Sequence, residues 1–151
     1  MRAILCVLAV GCSGNKLSSL DARGSLGDGT PFDLQLGAAV DPSGAPWKVA
    51  ATGASGPEDL RGFWLWFDPS VSQGASYSST GASTSMGAVH FFVVRAAADG
   101  SLDASLVDGG TIAFTAGGPD NYAGTLAGLK LMRNGMPVAT VDGGDFVAQR
   151  P

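Results

Sequence analysis

Alternation between apolar and polar residues, broken at short intervals by Gly, Asp and Pro, constrains this chain more than any other feature. At positions 32–40 the even-numbered residues are Phe32, Leu34, Leu36, Ala38 and Val40, with Asp33, Gln35 and Gly37 between them. Successive side chains of a strand point to opposite faces, so a period of two predicts one half-buried strand over 32–40. Gly27-Asp28-Gly29-Thr30 reads as a turn pairing it with 20–26, and Asp41-Pro42-Ser43-Gly44 reads as the turn that follows. Trp47, Val49 and Ala51 then alternate with Lys48 and Ala50.

The same pattern continues to the end of the chain. Pro57-Glu58-Asp59-Leu60 is a candidate single helical turn. Gly62-Phe63-Trp64-Leu65-Trp66-Phe67 is a run of large apolar residues that suits a strand covered on both faces. Residues 74–85, rich in Ser, Gly and Thr around Tyr77, suit a weak strand or a long loop. Residues 86–96 predict the longest strand, with Val89, Phe91 and Val93 on one face and Met86, Ala88, His90, Phe92 and Val94 on the other. Asp99-Gly100 and Asn134-Gly135 are hairpin turns, because both positions of each tolerate positive φ. Strands are expected near 102–106, 112–114, 122–131, 138–141 and 146–148, the last two separated by a turn at Asp142-Gly143-Gly144.

Composition agrees with this reading. The chain has a single Glu (Glu58) and three Lys (Lys16, Lys48, Lys130), the residues that most readily fill the solvent faces of helices. Strands recurring about every ten residues, with no βαβ spacing, predict an all-β domain: a single antiparallel β-sandwich, with a small lipocalin-like barrel as the alternative. The nine Lys and Arg are scattered singly and the net charge is −4, so no basic stripe exists to neutralise phosphates, and nucleic acid is not an expected partner.

The N-terminus carries an address. Arg2 precedes an apolar run from Ala3 to Val10, too short for the ~20 residues of a membrane span but of signal-peptide length. Leu8-Ala9-Val10-Gly11-Cys12 resembles the lipobox of bacterial lipoproteins, with Ala9 where Leu is commoner. The resemblance implies cleavage before Cys12 and acylation of its thiol. Cys6 lies inside the apolar run, so Cys12 would keep no disulfide partner in the mature chain. The expected organisation is a signal peptide at 1–11, lipidated Cys12 with a tether at 12–18, and a sandwich domain at 19–151. By the same resemblance, Ser13 beside the lipidated residue points to the outer membrane of the cell envelope, on its periplasmic or surface face.

The last third adds a second resemblance. Gly110-Thr111-Ile112-Ala113-Phe114-Thr115, Tyr122-Ala123-Gly124-Thr125-Leu126-Ala127 and Gly144-Asp145-Phe146-Val147 resemble the closing strands of a loose group of bacterial lipoproteins with β-sandwich domains. That group implies fold and address, and brings no activity with it.

Candidate sites are few. His90 is the sole histidine, and no Gly-x-Ser-x-Gly elbow accompanies it, so a catalytic triad is not expected. Zinc needs three or four Cys, His or acidic ligands, and the mature chain offers one His and no spare Cys. Asp99-Gly100-Ser101-Leu102-Asp103 and Asp142-Gly143-Gly144-Asp145 lack the acid density of a calcium loop, and turn chemistry accounts for them. No metal or cofactor is expected. Trp64 and Trp66 share one face of their strand and could stack on a sugar, although aromatic residues on strands usually supply core area, and most of Trp47, Trp64 and Trp66 are expected inside. The expected function is therefore a non-catalytic, membrane-anchored binding or structural module of the envelope. Its protein or small-molecule partner is not specified, and the alternative is a barrel carrying a small apolar ligand.

Overall fold

The computed structural model describes residues 17–53, 56, 57, 59–79 and 87–150. Cys12 and the expected signal segment at 1–11 lie outside them, as do Glu58 and Met86. Among the described residues eleven strands follow in order: β1 (Ser19–Leu26), β2 (Pro31–Gly37), β3 (Ala39–Asp41), β4 (Trp47–Thr52), β5 (Leu60–Phe67) and β6 (Ser76–Ser79), then β7 (Val89–Ala96), β8 (Leu102–Val107), β9 (Gly109–Ala116), β10 (Asn121–Arg133) and β11 (Met136–Gln149). They form a six-stranded sheet of order β2-β1-β11-β10-β9-β6 and a five-stranded sheet of order β3-β4-β5-β7-β8. Every pairing is antiparallel. The two sheets do not close on one another, so the architecture is the sandwich, and the barrel alternative falls.

Each inner face is built from alternate residues. Leu20, Phe114, Tyr122, Leu126 and Phe146 from the six-stranded sheet meet Trp47, Val49, Phe63, Leu65, Phe67 and Phe91 from the other, all buried. Phe67 lies at the centre, its ring centroid 5.3 Å from Phe114, 4.9 Å from Tyr122, 6.1 Å from Trp47 and 6.5 Å from Phe146. Rings from both sheets thus occupy the space that a carrier's lumen would need. The Tyr122 hydroxyl donates to the Pro69 carbonyl at 2.7 Å, which satisfies its polar end, and burial pushes its pKa up.

Several local expectations change. The alternation at 32–40 is not one strand: β2 ends at Gly37 and β3 starts at Ala39 in the opposite sheet. Period two records which side faces the core, and the chain keeps that phase while crossing between layers. Asp142-Gly143-Gly144 is not a turn but lies within β11, where the β1 register slips from Arg23↔Gly143 to Gly24↔Val141, a bulge. The longest strands are β10 and β11, with 13 and 14 residues, while β7 has eight. At 57–60 one backbone bond, Leu60 N–H to the Pro57 carbonyl at 3.0 Å, closes a turn.

The outer face of the six-stranded sheet is polar, with Arg23, Asp33, Gln35, Thr125 and Asp145 exposed. Asp21 faces Asp145 across β1–β11 and accepts the Leu36 N–H at 3.1 Å. Its pKa is raised, chiefly by burial, then by the charges of Asp145 and Asp33, against the lowering effect of the Leu36 bond. A raised carboxyl pKa means that ionisation costs the folded state, so this site loses stability as pH climbs through the carboxylate range. Asp21→Asn keeps an oxygen for Leu36 and removes the charge. It should stabilise the protein at pH 7 by a few tenths of a kcal/mol, the scale of exposed charge pairs. Urea titrations should show that gain closing below the normal carboxylate pKa.

Candidate functional site at one end of the sandwich

Trp47 is buried in the core, as expected, but Trp64 and Trp66 are not. They point outward from β5, half-buried, against Phe92 at 6.4 and 5.0 Å between centroids. The Lys48 ammonium lies 4.1 Å from the Trp64 ring and 5.6 Å from the Trp66 ring, a cation held over both indoles. Tryptophan at half-buried positions of a sheet is normal, and the run 62–67 gave no phase to separate the two sides. His90 stands opposite Trp66 in register and is 6% exposed, on this outward side and away from the central core. The three candidates therefore share one sheet face. A ring partly covered by an ammonium is a poor stacking platform.

A concave site occurs elsewhere. A groove of about 510 Å³ is lined by Leu26, Gly27 and Asp28 at the end of β1, Arg95 on β7, and Arg133 to Val138 around the β10–β11 turn, Gly135 excepted. That volume lies within the ~300–1,000 Å³ of small-molecule pockets. Local chemistry fixes each wall. Asp28 accepts the Thr30 N–H at 2.8 Å and its hydroxyl at 2.9 Å, closing the first turn. The Gly27 N–H donates to the Val138 carbonyl at 2.8 Å, which ties that turn to β11. A Cβ on Gly27 would come within 2.4 Å of the Pro137 carbonyl oxygen, so the approach requires glycine. Asn134 and Gly135, with φ of 52° and 77°, form the expected hairpin turn.

Arg95 is held in place: its Nε and one terminal nitrogen lie 2.7 and 2.6 Å from the same Asp59 oxygen. Met136 on the rim is 68% exposed and Met132, one residue before Arg133, is 49% exposed. Flexible thioethers in that position adapt to varied partners. The lining thus offers two guanidiniums, an amide and apolar stems. Its one carboxylate is engaged in the turn. Such a set can hold a ligand by contact and charge-assisted hydrogen bonds, and it provides no nucleophile beside a base. Among the described residues no three His, Cys, Asp or Glu side chains group to hold a metal.

The groove lies at a defined end of the sandwich. β1 starts at Ser19 against Val147 and ends at Leu26 against Ala139, so the groove and residue 17 are separated by the length of eight residues. At ~3.4 Å per residue that is ~27 Å. Sequence reading missed this site because its walls come from residues near 27, 95 and 135, which only the fold brings together. The one available signal was the pair of Met residues flanking a strong turn. Neither a protein-family model, a curated protein nor a solved structure matches the chain.

Proposed function

We propose that this protein is a lipid-anchored, non-catalytic binding module of the bacterial cell envelope, acylated on Cys12 and presenting the Arg95–Arg133 groove away from its membrane. One observation carries the reading: the groove, with exposed Met136 on its rim, sits at the end of the sandwich opposite residue 17, the end to which a tether from Cys12 would lead. A surface built to bind at a distance from an anchor is arranged in this way. The filled core supports surface binding over luminal carriage. Two or more acyl chains, at ~0.8 kcal/mol per buried CH₂, would hold the chain stably in a bilayer.

The two parts of the reading are tested separately. Tritiated palmitate should label the parent chain and not Cys12→Ala; label persisting in that variant defeats the anchor. Native mass spectrometry of the detergent-solubilised full chain, taken from cells that make it, should show an adduct that denaturation removes. Met136→Asp should reduce that adduct at least tenfold, which corresponds to ~1.4 kcal/mol. A bare mass, or an adduct indifferent to Met136, defeats the groove as the binding site.

A further inference from the structure

The β10–β11 hairpin projects beyond the sheet that carries it. β9 pairs with β10 only as far as Ala127, and β1 pairs with β11 only from Ala139 onwards. Residues 129–133 and 136–138 pair with each other and with no further strand among the described residues, the Gly27 N–H to Val138 carbonyl bond aside. Both methionines of the described residues, Met132 and Met136, sit on this projection, while the core contains none. Cross-strand pairing separates the two. Met136 faces Arg133 and Met132 faces Pro137. Directly paired residues share a side of the ladder and consecutive residues alternate. The groove is accordingly lined by Met136 and Arg133 and not by Met132. At 68% exposure, Met136 offers its thioether to water beside the apolar stems of Pro137 and Val138.

We propose that Met136 is an oxidation site that sets the polarity of the groove: a peroxide-class oxidant converts it to the sulfoxide and thereby weakens binding. The sulfur lone pair attacks one peroxide oxygen, and an S–O bond forms as the O–O bond breaks. The other oxygen takes the proton of the transferred one and leaves as water. Sulfur is oxidised by two electrons and the peroxide is reduced by two. A flexible apolar side chain becomes a polar, chiral one, a change that disrupts methionine-built contact surfaces. The new oxygen accepts hydrogen bonds, and Arg133, the cross-strand partner of Met136, is the donor placed to meet it. Oxidation thus removes apolar contact from the rim and engages one of the two guanidiniums of the lining. Met132, 49% exposed on the other side of the hairpin, is open to the same oxidant without touching the groove. The effect on binding rests on the groove as the binding site; the oxidation site itself does not.

The test uses the detergent-solubilised full chain, hydrogen peroxide, and naphthalene sulfonate as an apolar anionic probe, its binding read by equilibrium dialysis against a detergent blank. Trypsin cuts after Lys130 and after Arg133, so the two methionines are read in separate peptides. Met136 in the folded chain should oxidise within about tenfold of its rate in urea, because susceptibility follows exposure. Oxidised parent and oxidised Met132→Leu should bind the probe about fivefold more weakly, the scale of one methylene-sized apolar contact. Met136→Leu should keep its affinity through the same treatment. Met136→Gln, polar without any oxidant, should match the oxidised parent, and methionine sulfoxide reductases should restore the parent. Met86 is present in every one of these chains, so its oxidation cancels. Slower oxidation of Met136 than that limit, an equal loss of affinity in Met136→Leu, or a parent whose probe binding is absent or unchanged would each overturn the proposal. An absent native adduct would defeat the groove as the site of a natural ligand and leave these probe outcomes decisive.

Discussion

Phe67→Ala should lower the unfolding free energy by about 3–5 kcal/mol, the range for deleting a fully buried phenylalanine. The position is severe because four rings surround it, three of them from the opposite sheet. Removing the ring loses its transfer free energy and leaves a cavity that strands pinned by cross-strand bonds cannot collapse to fill. Urea unfolding checks this, and at ~2–4 °C per kcal/mol the melting temperature should fall by roughly 6–20 °C. Trp66→Ala, which removes a larger ring from the outward side of the same strand, should cost less. If Phe67→Ala cost no more than a surface change, the interior would have to be loosely filled, and luminal binding would return as a function.

The same contrast shows what was legible in the sequence. Alternation and turn chemistry are local properties, and they located most strands and the Asp99-Gly100 and Asn134-Gly135 hairpins. They did not assign strands to sheets. Residues 32–40 keep one phase across Ala38 because both layers bury toward the same core, so a crossover leaves no mark in the pattern. Asp142-Gly143-Gly144 has the composition of a turn, and a bulge draws on the same residues: Gly144 is required because a Cβ there would meet the Asp21 carbonyl oxygen at 2.1 Å. The run 62–67 predicted cover on both faces. The structure buries Phe63, Leu65 and Phe67 fully and leaves the two tryptophans half-buried, a difference set by which sheet lies opposite.

Of the candidate site, less was legible. The i, i+2 spacing put Trp64 and Trp66 on one face, whereas His90 joins them only through the β5–β7 register, which alternation does not give. Their surroundings were not readable, since Lys48 reaches the indoles only through the β4–β5 register. The groove depends on three turns meeting at one end, a property of topology alone. Arg95 gave no signal: in sequence it is a strand-end cation, and it takes Asp59, 36 positions away, to hold its guanidinium.

A buried serine that drew no attention in the sequence carries the other large expected effect. Ser79 is fully buried at the edge of the six-stranded sheet. Its hydroxyl donates to the Val107 carbonyl at 2.5 Å and accepts the Phe91 N–H at 2.9 Å. Phe91 and Val107 face each other across β7–β8, so one side chain from β6 links two strands of the other sheet. Ser79→Ala leaves a buried donor and a buried acceptor without that link, and each such group costs ~1–3 kcal/mol. The expected loss is about 2–4 kcal/mol in urea unfolding, whereas exposed Ser78→Ala should stay within ~0.5 kcal/mol. Amide exchange should separate this mechanism from general loosening. The Phe91 N–H should lose protection beyond the global change, while Val93, two residues further along β7, should follow the global change alone. A Ser79→Ala chain as stable as the parent would mean that β7 and β8 close their own bond once the hydroxyl is gone, and that β6 is held to the sandwich only by its pairing with β9.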